Sequence, residues 1–209
     1  MRGRWIFVLM AMLVAGCAGL GDRPVRPAQY DLGPLPAAIT PAASGPVLLV
    51  PELRSTTALE GVQILYRLAY DNPHETRPYT ESRWIGPITE LVRERLVAQL
   101  ALDRPVLGPG QIGTVAPGTA AGAPQVLRLE LQEFVHQFDA PGKSLGRLRL
   151  KATLMQAAPG LDRLIAQRVF EVSRPAPTPD AHGAVRALSA AVDELAGQLR
   201  SWLRDPTVR

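Results

Sequence analysis

From Val126 to Val172 the apolar residues recur at every second position, and a period of two places them on one face of extended strands. Leu127, Leu129 and Leu131 alternate with Arg128, Glu130 and Gln132, after which Phe134, His136 and Phe138 take the other parity. A phase change of one residue predicts a bulge or twist near Glu133. From Gly146 to Met155, Leu148, Leu150, Ala152 and Leu154 point inward, and Arg147, Arg149, Lys151 and Thr153 point outward. Pro159-Gly160 turns the chain, and Leu164 to Val172 makes a third strand. Antiparallel alternation of this kind implies one buried and one wet sheet face.

Two helices follow from a different period. Gly86-Pro87 opens the first, because proline in the first turn lacks only an N–H that would be unpaired anyway. Ile88, Leu91, Val92, Leu96 and Leu100 form its apolar stripe, with Glu90, Arg93 and Glu94 opposite, and Asp103-Arg104-Pro105 ends it. After Pro175-Ala176-Pro177-Thr178-Pro179, Asp180 caps the second helix. Its stripe runs through Ala184, Val185, Leu188, Val192, Leu195, Leu199, Trp202 and Leu203, and Asp205-Pro206 stops it. Upstream, Tyr30 to Leu32 and Val47 to Val50 read as short strands. Val62 to Tyr70 reads as a longer one, with Ile64, Tyr66, Leu68 and Tyr70 on one face. Turn residues at Asp71 to Glu75 return the chain as Thr76 to Trp84, the partner strand of a hairpin. The fold class expected is α+β, a two-layer sandwich of a mainly antiparallel sheet with two amphipathic helices.

The N-terminus addresses location. Arg2 and Arg4 precede an apolar run from Trp5 to Val14, too short to span a bilayer but suited to a secretory signal. Val14-Ala15-Gly16-Cys17 is similar to a bacterial lipoprotein signal, in which cleavage precedes a lipid-modified cysteine. Cys17 is the one cysteine among 209 residues, so no disulfide within the chain can form. Lipidation would remove a lone thiol from an oxidising compartment. Residues 1–16 are then a removed signal peptide and 17–28 a lipidated tether, of which Ala18 to Ala28 reaches roughly 35 Å when extended. Residues 29–205 form one domain, with a Gly, Ala and Pro-rich loop at about 107–124. Ala18 follows the cysteine where aspartate is associated with inner-membrane retention, so the outer membrane, periplasmic face, is expected.

Charge narrows the partners. Removing Arg2 and Arg4 leaves 21 basic against 19 acidic residues, a net of +2, which predicts neither nucleic-acid binding nor strong attraction to acidic lipid. The run Ile64-Leu65-Tyr66-Arg67, then Tyr79-Thr80-Glu81-Ser82-Arg83-Trp84, then Pro87 and the helix to Leu100, resembles the ABC-type transport auxiliary lipoprotein family, the paraquat-inducible protein C type. The strand Leu127 to Phe134, Phe170 and the final Trp202-Leu203 extend the resemblance over most of residues 13 to 203. It implies a non-enzymatic partner of a lipid-transport system comprising an ABC permease, an ATPase and a periplasmic mammalian-cell-entry protein. The lipoprotein would dock the lipid-conducting protein at the outer membrane. A partner built as a ring would favour a matching homo-oligomer.

The residues themselves offer no catalytic set. His74, His136 and His182 are far apart in sequence without ligand spacing, Gly108-Pro109-Gly110 lacks the Gly-Lys-Ser/Thr of a phosphate loop, and no Gly-x-Ser-x-Gly elbow occurs. No enzyme activity, cofactor or metal is expected. His136 reads as a hydrogen-bonded structural histidine, and Asp193-Glu194 as solvated carboxylates. Arg67, Tyr79, Arg83 and Trp84 are candidate partner contacts, Arg and Trp being over-represented at binding hot spots. Trp84 would also suit the junction between strand and helix, with the arginines paired to carboxylates. Arg147, Arg149 and Lys151 form a basic row that could meet acidic headgroups or simply be solvated. Two other readings stay open: a structural or assembly lipoprotein unrelated to transport, and a periplasmic lipid-binding module, which would need a sizeable apolar cavity.

Overall fold

The computed structural model describes residues 26–35, 46–109, 123–158 and 160–205. Cys17, the signal peptide, the tether up to residue 25 and most of the 107–124 loop lie outside the described residues. The strands are β1 (Ala28–Tyr30), β2 (Leu48–Leu49), β3 (Arg54–Ser55), β4 (Gln63–Leu68), β5 (Arg77–Trp84), β6 (Val106–Leu107), β7 (Gln125–Ala140), β8 (Lys143–Gln156) and β9 (Arg163–Pro175). The helices are α1 (Ile88–Leu100) and α2 (Ala181–Arg204). The expected α+β class holds, but the first strand begins at Ala28, two residues earlier than the apolar pattern suggested.

One strand organises the sheet. Along one edge β7 pairs with β8, which pairs with β9, in a long antiparallel meander. The other edge of β7 is met by three successive pieces, all parallel to it: β2 at Gln125, β3 at Glu130 and β4 at His136. The order β1-β5-β4-β7-β2-β6 completes the sheet. It is therefore mixed rather than mainly antiparallel among its short strands. Parallel neighbours need long crossovers, and here more than 60 residues separate Tyr66 from its partner His136.

The phase change in β7 is real. The register with β8 slips between Leu131 and Glu133, and the buried parity passes from Leu127, Leu129 and Leu131 to Phe134 and His136. On β8, Leu148, Leu150, Ala152 and Leu154 are all buried against α2 and the rest of the core. Gly146 continues that inward row, and an added Cβ would lie 2.9 Å from the α2 backbone at Ala187 and Leu188. At this one position the helix backbone comes too close for any side chain. α2 starts on Asp180, whose carboxylate accepts from the Gly183 N–H at 2.8 Å. Every residue of its expected stripe is buried. Tyr70 departs from expectation: it lies in the turn after β4 and is 48% exposed, because the strand ends at Leu68.

Candidate functional site

The four residues expected to meet a partner separate into different roles. Trp84 is 1% exposed, its ring tilted against Phe134 with centroids 5.9 Å apart. As a partner contact it is corrected: the ring closes the junction between β5 and the core, and no surface of it is offered outward. Arg67 is half-buried and spent within the sheet, its guanidinium donating to Glu133 at 2.5 Å. Tyr79 lies partly buried, its hydroxyl 2.8 Å from Nδ1 of His136. Arg83 alone of the four is exposed, its side chain making no hydrogen bond or ion pair among the described residues.

His136 is fully buried, as a structural histidine would be, and burial pushes its pKa down to about 4, with Asp180 opposing the shift. Its Nε2 has no partner among the described residues. The ring lies 4.6 Å from that of Phe138, while Tyr66 packs 4.8 Å from Tyr79. The same burial pushes the Tyr79 phenol well above its usual value. A neutral imidazole hydrogen-bonded to a neutral phenol inside an aromatic cluster ties β5 to β7.

The basic row is paired within the sheet, with Glu133 shared between Arg67 and Arg147. Arg147 pairs with Glu133, Arg149 with Glu171 and Lys151 with Glu130, at 3.5, 3.0 and 3.4 Å. Asp193 and Glu194 are not merely solvated. Asp193 takes a bidentate contact from Arg95 at 2.7 and 2.8 Å, and Glu194 meets Arg174 at 2.6 Å.

Arg95 went unread in the sequence, since a charged residue next to Leu96 gives no sign that it is buried. It is 8% exposed and also donates to the carbonyls of Gly33 and Pro34, joining the N-terminal segment to both helices. Arg104, also buried, donates to the carbonyl of Leu203. Asp103 accepts from Arg200 and Arg204, whose guanidinium groups hold its carboxyl at about 2, below the usual carboxylate range.

Between β1 and α2, next to Ile85, the chain leaves a groove of about 550 Å³. Tyr30, Leu32, Ile85, Val185 and Ala190 make its walls apolar, and Ile85 is 62% exposed. Among the described residues no group of three or more His, Cys, Asp or Glu could hold a metal, and no helix is long and apolar enough to cross a membrane.

These features define an α+β domain with a packed core and a surface groove at one edge of its sheet. The chain belongs to the family described as the ABC-type transport auxiliary lipoprotein component, whose model matches residues 30–200. Among solved structures it is similar to the protein XCC0632 from Xanthomonas campestris, at 19% identity over 86% of this chain and 93% of that one, with a TM-score of 0.64. A second crystal structure, of an uncharacterized protein, matches at 16% identity over 85% of this chain and 99% of that one, with a TM-score of 0.60. At these identities the likeness is one of fold. Comparison with curated proteins yields no match.

Proposed function

We propose that this transport auxiliary lipoprotein acts without catalysis, anchored by a lipid on Cys17 at the periplasmic face of the outer membrane. There it docks the periplasmic mammalian-cell-entry protein of an ABC-type lipid transport system. The family match over residues 30–200 carries the reading. Three acyl chains on one cysteine would hold the domain permanently, since each buried CH₂ contributes about 0.8 kcal/mol. The exposed Arg83 and Ile85 supply the kind of surface that a docking role requires.

The test is a crosslinked pull-down of the full lipidated chain from detergent-solubilised envelopes, read by mass spectrometry, with Cys17→Ala as the anchoring control. Recovery of a mammalian-cell-entry protein together with its permease is expected, and Cys17→Ala should move the protein to the soluble fraction. Repeated recovery of only barrel or cell-wall proteins would replace the transport reading with a structural one.

A further inference from the structure

We infer that the groove between β1 and α2 receives an extended peptide segment of the docking partner, which adds as a strand to the free edge of β1; this rests on the docking function proposed above. The backbone selects the class of occupant. β1 pairs with β5 alone among the described residues, in parallel register Gln29↔Arg83 and Tyr30↔Trp84. The carbonyl of Tyr30 accepts from the Ile85 N–H at 2.8 Å, so the peptide groups of Tyr30 face β5. Strand neighbours alternate, and those of Gln29 and Asp31 therefore point off the sheet into the groove. An acyl chain would cover the apolar walls and leave these groups unpaired. An extended peptide satisfies both, main chain to main chain and alternate side chains to the walls.

Length and charge agree. The helix wall runs from His182 to Asp193, a span of about 16 Å at 1.5 Å per residue, which is about five residues of extended chain. Of the charged side chains lining the groove, Asp193 is paired with Arg95, whereas Asp31, at the other wall, accepts only from the neutral Gly33 N–H and keeps its negative charge. Arg186 is exposed and unpaired among the described residues. The occupant is thus an apolar extended segment with a carboxylate, on a side chain or at a chain end, placed to meet Arg186.

The test uses the full lipidated chain in cells. A photocrosslinking p-benzoylphenylalanine replaces Ala190, and crosslinked peptides are mapped by mass spectrometry. Partner recovery is measured in parallel for Gln29→Pro, Gln29→Ala and Ala190→Trp, each checked for an unchanged melting temperature. Proline at 29 removes one outward N–H while sparing those that face β5. Crosslinks to one short contiguous segment of the mammalian-cell-entry protein are expected. Gln29→Pro and Ala190→Trp should each lower its recovery at least tenfold, and Gln29→Ala less than twofold. Should Gln29→Pro fail to fold, Ala190→Trp at an exposed helix position decides. Wild-type recovery in Gln29→Pro and Ala190→Trp would overturn the groove while leaving docking intact. Crosslinks to phospholipid alone, or to a second copy of this chain, would assign the groove a different occupant. If the wild-type chain recovers no mammalian-cell-entry protein, the docking function itself fails and the groove proposal with it.

Discussion

The β7–β8–β9 meander and the β1–β5–α2 corner are built from the same sheet, yet they spend their side chains differently. In the meander the inner row is buried, and the outer basic row of Arg147, Arg149 and Lys151 is matched by carboxylates of the neighbouring strands. At the corner, among the described residues, Arg83 and Arg186 have no counter-ion, Ile85 is exposed and β1 ends the sheet with an open edge. The meander face of β7 and β8 is self-satisfied, while β9 leaves a second open edge among the described residues, with Leu164 and Val169 exposed. The difference teaches that charge density alone misidentifies a binding surface, because a dense basic row can be satisfied within its own sheet.

The sharpest way to break the comparison is to damage the meander. Leu150→Ala removes a fully buried side chain and should cost about 3 kcal/mol, read as a lower denaturant midpoint. Partner binding per folded molecule should not change. Next in size, Arg95→Ala should cost about 2 kcal/mol, because it frees Asp193 and the carbonyls of Gly33 and Pro34. Unlike the first variant, it should also raise amide exchange through residues 28–35, since the corner loses its tie to the helices.

A third effect depends on pH. The folded chain holds His136 at about 4, below the value near 6.5 expected when unfolded. Between those values the unfolded state binds a proton that the folded state refuses. This contribution is therefore complete above about pH 6.5 and is lost as pH falls through about 4, a decline of about 3 kcal/mol. Denaturant midpoints across that range should fall in the wild type, and His136→Gln should lack this component. The smallest effect on stability belongs to Arg83→Ala, within about 0.5 kcal/mol for an exposed side chain, with loss of partner recovery as its main consequence.

Much of the meander was legible because its pairings are local and its period is regular. The alternation through Leu148 to Leu154, the slip near Glu133 and the cap at Asp180 follow from residues within one or two turns of chain. The parallel contacts of β2, β3 and β4 with β7 were not, because no turn residue signals a pairing across 60 or more positions. For the same reason Arg95 and the β1 groove stayed hidden. Each depends on bringing residues near 30 beside residues near 190. For Trp84 the sequence allows both a partner contact and a place at the strand–helix junction, and burial selects the second, because residue type says nothing of side-chain direction at the last position of a strand.

The most direct test is hydrogen exchange, by mass spectrometry, of the full lipidated chain in detergent with and without a solubilised mammalian-cell-entry protein, the partner proposed above. Protection confined to residues 28–33, 83–85 and 182–193 is the result predicted for docking at the corner. Protection instead along β8 and β9, at residues 147–151 and 163–171, with the corner unchanged, would contradict it.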